Sequence, residues 1–271
     1  MIGIVAGDII GSVYEYPFYK GTWKGEKPYQ DFELFQPKSR FTDDTTMSLA
    51  IADALLQDKS YEACLHRYGN QYWGAGYGGN FKKWLKTPLE EIAAYGSYGN
   101  GSAMRVGAIA WAFDSEARVL EEAKKTALPT HNHVEGIKGA QAIALAIYMA
   151  RKGKSKEAIK TKIQEKMGYD LERKLSDIRP NYTFDVTCQG SVPESILCFL
   201  ESKSVEDAIR CSVSLGGDTD TMAAIAGGIA LAHYQELPKS MYENVEKYLD
   251  EHLWQVLRAF ETKYQVRYHL T

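Results

Sequence analysis

Apolar residues recur every three or four positions through most of this chain, and no stretch alternates long enough to build a sheet. In 240–262, Tyr242, Val245, Tyr248, Leu249, Leu253, Val256, Leu257 and Phe260 form one stripe, which predicts a single terminal helix with one buried face. Residues 133–152 and 219–234 are rich in Ala, Ile and Leu and read as central helices. Gly227-Gly228 weakens the second of these as an isolated helix, so the pair predicts close approach of another helix. Helices over 45–57, 59–73, 115–126, 155–167, 193–201 and 205–214 complete the set. Ser191-Val192-Pro193-Glu194 reads as a helix start, with a cap residue, an early proline and a capping-box glutamate. Thr42 and Asp218 each precede a helical run and read as N-caps. There is no internal repeat and no low-complexity linker, so residues 1–271 are expected to form one all-α domain.

One segment departs from this pattern. Residues 16–41 hold three prolines, two glycines and eight aromatics without helical periodicity. So long a connection in a compact domain is expected to be a lid or rim over a site, the plainer alternative being an aromatic-anchored surface loop. A formal net charge of −3 gives no overall basic field to recruit nucleic acid. The four cysteines form no CxxC pair and no signal peptide opens the chain, so reduced, buried thiols in a cytoplasmic protein are expected. The longest apolar stretches, around 139–150 and 222–232, fall short of the roughly 20 residues of a membrane helix.

The chemistry is concentrated in two clusters of similar build. Thr42-Asp43-Asp44-Thr45 and Asp218-Thr219-Asp220-Thr221 each pair two aspartates with threonine hydroxyls and lead into an apolar helix. Carboxylates in a first helical turn are favoured by the helix dipole alone, which is a purely structural reason for either cluster. If the two helix starts meet, four carboxylates share one small volume, and like charges that close stay ionised only when protons or cations neutralise them. Two divalent ions would balance four negative charges. The donors are all hard oxygens, with no His or Cys at metal spacing, which favours Mg²⁺ or Mn²⁺ over zinc.

Six blocks, in order, resemble the ADP-ribosylglycohydrolase family, which includes the dinitrogenase reductase-activating glycohydrolase. They are Gly7-Asp8-Ile9-Ile10-Gly11 with Glu15, Thr42-Asp43-Asp44-Thr45, Gly99-Asn100-Gly101-Ser102-Ala103-Met104-Arg105, Thr130-His131-Asn132-His133, Cys188-Gln189-Gly190-Ser191-Val192-Pro193-Glu194, and Gly216-Gly217-Asp218-Thr219-Asp220-Thr221. The resemblance implies a compact orthogonal bundle of roughly a dozen helices, in line with the periodicity. It implies two Mg²⁺ (or Mn²⁺) ions held by Thr42, Asp43, Asp44, Asp218, Asp220 and Thr221, and hydrolysis of the bond between the anomeric carbon of ADP-ribose and a target group. Gly96, Ser97, Tyr98, Gly99, Asn100 and Gly101 are expected to hold the diphosphate and distal part of ADP-ribose, and His131 its adenine end. Asp43 or Asp220 would take a proton from the attacking water, and Glu15 would protonate the leaving group or gate the site.

Plainer readings stand beside these. Asp8 is read as a polar residue near the first helix rather than a ligand, Asn100 as a turn former, and Arg105 as an anchor for acidic helix ends or a loop. His133 is read as structural, and Tyr98 as either core or a stacking platform. The expected partners are an ADP-ribosylated substrate and the ADP-ribose product, with no membrane and no nucleic acid other than an ADP-ribosylated base, for a monomeric protein. A non-catalytic ADP-ribose-binding relative and a di-metal nucleotide phosphohydrolase remain open, and so does the linkage cleaved. The Tyr14-Glu15 and Gly96-Ser97-Tyr98 segments look closer to the serine- and polymer-cleaving branch than to the arginine branch.

Overall fold

The computed structural model describes residues 1–15 and 32–271. Its first helix, α1 (Ile2–Gly11), is buried along its whole length. A helix without a polar face has no amphipathic stripe, which is why periodicity did not pick it out. The elements that follow are α2 (Asp43–Gln57), α3 (Tyr61–Gln71), α4 (Gly79–Lys86), α5 (Gly101–Met104), α6 (Gly107–Ala112), α7 (Glu116–Ala127) and α8 (Val134–Arg151). Then come α9 (Lys156–Met167), α10 (Leu175–Ile178), α11 (Cys188–Glu201), α12 (Val205–Leu215), α13 (Thr219–Tyr234), α14 (Lys239–Tyr248) and α15 (Glu251–Lys263). The all-α expectation holds. The exception among the described residues is a parallel pair, β1 (Glu236–Leu237) with β2 (His269–Leu270), each strand too short to alternate.

The centre is α13, which packs against α1, α12, α11 and α8. Small residues set the α1–α13 contact. A Cβ on Gly3 would stand 2.5 Å from Gly227 O, one on Gly7 would collide with the Ala223 backbone, and one on Gly11 would stand 2.5 Å from Asp220 Cα. The three glycines are four residues apart on α1, and their partners run backwards along α13, so the helices are antiparallel and nearly touch. Gly227 and Gly228 meet Gly3 and Ile4 as the close-approach reading required. This packing carries the C-terminal end of α1 to the N-terminal end of α13, where the site lies.

Two boundaries differ from expectation. The 240–262 stripe is carried by two helices, because Leu249 is extended and Asp250 caps α15, its Oδ1 accepting from Leu253 N at 2.8 Å. A side chain that satisfies free N–H groups starts a new helix without interrupting the apolar stripe. Helix α11 starts at Cys188, not near Ser191; Thr187 is its cap, its Oγ1 accepting from Gly190 N at 3.1 Å, and Pro193 lies inside the helix. Ser191 instead donates back to Thr187 O at 2.7 Å.

Of the 16–41 segment, residues 16–31 lie outside the described residues, and most of the lid-or-rim expectation falls there. Residues 32–41 contain no helix or strand and are tied to the body. The Phe32 ring is 4.8 Å from the Tyr14 ring, Phe35 stacks on Tyr248, and Tyr14 Oη donates to Glu33 O at 2.6 Å. All four cysteines are free and buried, as expected. No helix of the described residues is long and apolar enough to cross a membrane.

Candidate active site

Three helix ends converge here: the C-terminal end of α1 and the N-terminal ends of α2 and α13. Asp8 of α1 is fully buried and gathers the start of α2 onto itself. Its carboxylate accepts from Thr42 N at 2.9 Å, Thr42 Oγ1 at 2.6 Å and Thr45 N at 3.0 Å. Thr221 Oγ1 of α13 donates to Asp44 Oδ2 of α2 at 3.1 Å. Asn100 Nδ2 donates to Asp218 Oδ2 at 2.7 Å and to Ser191 Oγ at 3.1 Å. The structure thus brings Thr42, Asp43, Asp44, Asp218, Asp220 and Thr221 to one place, with Glu15 at its edge.

Among the described residues, Asp8, Asp44 and Asp220 each offer an oxygen within 4.8 Å of the others, and so do Glu15, Asp218 and Asp220. Six acids in so small a volume disfavour their own charge. Burial, then the repulsion of Asp220, pushes the Glu15 carboxyl up to about 8. Burial pushes Asp218 up to about 6, while burial and neighbouring carboxylates raise Asp43, Asp44 and Asp220 well above the usual range. Asp44 Oδ1 is buried and has no hydrogen-bond partner among the described residues. An orphaned anionic oxygen beside two further acids and two hydroxyls is a donor set that fits a hard divalent cation. Asp8 was undervalued in the sequence. Its signals there were its place in the Gly7–Gly11 block and an aspartate inside the apolar run Ile2–Ile10.

Five of these acids, all but Asp8, form one wall of a cavity of about 450 Å³. Ser97, Gly99, Asn100, Gly101 and His131, read in the sequence as ligand-holding residues, line it too. Gly96 and Tyr98 do not. Gly96 N is turned away to Asn132 Oδ1 at 2.8 Å, and Tyr98 is 48% exposed with its ring 5.3 Å from that of His133. Asn100 is more than a turn former: it is buried, has right-handed helical dihedrals and holds Asp218 in place. Arg105 anchors a helix end that carries no acid. It is fully buried, and its Nη2 donates to Thr126 O at 2.8 Å and Thr130 Oγ1 at 2.9 Å. His133 is structural as read, its Nδ1 accepting from Glu135 N at the start of α8.

Two cavity walls were missed. The first is Ala75-Gly76-Tyr77-Gly78-Gly79, whose sequence signal was its glycine content. Gly76 has φ 113°, which favours glycine, and a Cβ there would stand 3.5 Å from Asp43 Oδ1. The second is Phe184 and Val186, both partly exposed on an irregular segment before α11 that offered no pattern to read.

The ADP-ribosylglycohydrolase family model matches residues 1–269, so the chain belongs to the ADP-ribosylglycohydrolase family. It is similar to ADP-ribosylhydrolase ARH3 of Bos taurus, at 28% identity over 92% of this chain and 88% of the relative. The Homo sapiens protein of the same name is 27% identical over the same shares of the two chains. Among solved structures, the chain described as "ADP-ribosylglycohydrolase-related protein complex" shares the fold, with a TM-score of 0.71 and 24% identity over 97% of this chain and 95% of that one.

Proposed function

We propose that this protein is a metal-dependent hydrolase that cleaves the glycosidic bond between ADP-ribose and a modified target, releasing ADP-ribose. The observation that carries the reading is the placement of five acids, Glu15, Asp43, Asp44, Asp218 and Asp220, against a wall of Ser97, Gly99, Asn100, Gly101 and His131 in one cavity. Family membership and the similarity to proteins named ADP-ribosylhydrolase ARH3 support it.

The residues divide the work by position. Thr42, Asp43, Asp44, Asp218, Asp220 and Thr221 would hold two Mg²⁺ (or Mn²⁺) ions. Bound there, the ions supply neutralisation of the acids, orientation of the ribose hydroxyls and acidification of a water. Cleavage develops positive charge on the ribose, and the anionic wall favours that transition state over the neutral sugar. Asp43 and Asp220 face the cavity and are placed to accept a proton from the attacking water. Glu15 lies at the cavity edge, where burial favours its protonated form, and would give a proton to the leaving group. Gly99 N and Asn100 N are engaged by Ser97 Oγ and Val186 O, so the Gly101 N–H, the Ser97 hydroxyl and the His131 ring would receive the diphosphate and the adenosine side.

The test is a panel of ADP-ribosyl-serine, ADP-ribosyl-arginine, poly-ADP-ribose and O-acetyl-ADP-ribose, each with Mg²⁺ and with EDTA. The expected result is free ADP-ribose from at least one substrate, abolished by EDTA, with the serine or polymer linkage preferred. Tight ADP-ribose binding without turnover of any substrate would mark a non-catalytic binder. Phosphate release with an intact glycosidic bond would mark a phosphohydrolase.

A further inference from the structure

Among the described residues, Arg105 is a buried cation with no acidic partner, and its Nε has no hydrogen-bond partner. Burying a guanidinium without a carboxylate is costly, so the position calls for a reason. Its contacts supply one. Nη2 donates to Thr130 Oγ1 at 2.9 Å, and Thr130 Oγ1 lies 2.7 Å from His131 Nδ1. Arginine only donates, so Thr130 Oγ1 must accept from it. Thr130 is fully buried, and its own hydroxyl proton needs an acceptor. His131 Nδ1 is the acceptor in reach, which makes that nitrogen the unprotonated one. A neutral imidazole then carries its proton on Nε2. Burial and the Arg105 charge both push His131 well below its usual range, so the ring is neutral. Nε2 faces the turn: it would stand 3.1 Å from a Cβ on Gly101 and 3.7 Å from one on Gly99. It makes no hydrogen bond to the described residues, and the ring lines the cavity.

We infer that Arg105 and Thr130 are positioning residues that lock His131 as a neutral Nε2–H donor, aimed into the cavity at an anionic or carbonyl-type acceptor of the bound ligand. Neither residue reaches the reacting bond. On the ADP-ribose reading, on which the identity of the ligand rests, that acceptor belongs to the phosphate or adenosine side, away from the acids. The uncompensated Arg105 charge behind the ring adds a favourable potential for a phosphate. The same charge prevents His131 from gaining a proton, so the donor is constant rather than switchable.

The experiment is nitrogen-15 histidine NMR on the full chain, free and with ADP-ribose, joined to calorimetric binding of ADP-ribose and steady-state kinetics. The free wild-type protein is expected to show His131 with Nε2 protonated and Nδ1 bare. Thr130→Val removes the hydroxyl at constant volume. It is expected to mix the tautomers, weaken ADP-ribose about ten-fold and raise KM with kcat nearly kept, as loss of one hydrogen bond to a charged group requires. Thr130→Ser is expected to restore the tautomer, the affinity and the KM. Arg105→Lys serves as the second variant, and circular dichroism reports whether each variant folds. A proton on His131 Nδ1 in the wild type, or a Thr130→Val protein with unchanged tautomer and affinity, overturns the relay. If saturating ADP-ribose leaves the His131 signals unmoved, the ADP-ribose reading of this wall fails, while the free-state tautomer still decides the relay.

Discussion

Thr221 Oγ1 donates to Asp44 Oδ2 at 3.1 Å, so the third residue of α13 touches the second residue of α2 across 177 positions of sequence. Both sit in first helical turns, where free N–H groups and the helix dipole favour anions. The contact leaves Asp44 Oδ1 buried and without a hydrogen-bond partner among the described residues. A cation bound there adds stability by mass action, about 2.7 kcal/mol at a hundred-fold excess over Kd, or about 5–10 °C in Tm for a chain of this size. Asp44→Ala should abolish most of that Mg²⁺-dependent rise and cut turnover at least about 100-fold. Its Tm in EDTA should not fall, because one repelling carboxyl has gone. Differential scanning fluorimetry with Mg²⁺ and with EDTA reads both, and a variant that keeps the full Mg²⁺ shift removes Asp44 from the ligand set.

The raised acids make a pH prediction for the metal-free protein. Burial and the repulsion of Asp220 push the Glu15 carboxyl from its ordinary value of about 4.5 up to about 8, so between those limits the folded state holds more protons than the unfolded state. Asp218, raised to about 6, acts in the same direction over a narrower range. Stability therefore falls as pH rises through this window and is recovered on acidification toward the unfolded values. In EDTA, Tm should rise as pH is lowered from about 8 to about 5, and Mg²⁺ should flatten or reverse that slope. His131, held neutral, works in the opposite sense below its unfolded value and limits the gain at the acid end. A flat Tm profile in EDTA would mean that these carboxyls are not raised in the folded protein.

Legibility followed from how local each feature is. The amphipathic helices α7 and α9 came within two residues of their observed ends, because one-sided burial writes a period into sequence, whereas α8 and α13 came as close through the length of their Ala-, Ile- and Leu-rich runs. Helix α1 wrote none, being buried on every side. The Leu249–Asp250 break was hidden because the apolar stripe continues across it, and only the Asp250 cap betrays it. In the site, Thr42, Asp43, Asp44, Asp218, Asp220 and Thr221 were legible as two matched clusters. That they meet was not, since it depends on Gly11 touching Asp220 and on Asp8 holding Thr42. The Phe184 and Val186 wall left no trace, because irregular segments gain their neighbours only from the tertiary fold.

Asn100 gives a prediction that separates turn geometry from support of the site. Its Nδ2 is the side-chain donor that reaches Asp218 Oδ2, at 2.7 Å. Asn100→Ala keeps a compatible backbone, since the native dihedrals are right-handed helical. It leaves Asp218 free to turn and repel Asp220. Groups that orient ligands in this way are worth about 10–100-fold in metal affinity. Calorimetric titration with Mg²⁺ or Mn²⁺ should show that loss, with helix content unchanged by circular dichroism. An unchanged metal affinity would return Asn100 to the role of a turn former.

The α1–α13 contact gives two substitutions of one chemistry with different consequences. Gly→Ala inside a helix gains about 1 kcal/mol of intrinsic propensity. At Gly3 and Gly11, however, the new Cβ would stand 2.5 Å from Gly227 O and from Asp220 Cα respectively. Neither contact is a flexible side chain that can swing away, so the helices must separate, and overpacking of this kind costs about 1–3 kcal/mol. Both variants should therefore lower Tm, despite the gain in propensity. They should differ in metal binding. Gly11→Ala pushes on the first turn of α13 and displaces Asp220 relative to Asp44, so the affinity for Mg²⁺ should fall as well. Gly3→Ala acts near the middle of α13, about seven residues or roughly 10 Å further along the helix, and should leave that affinity close to wild type. Thermal melts with a Mg²⁺ titration on each variant make the comparison. Equal metal affinity in the two would show that Asp220 is held by its own turn and not by the packing of α1.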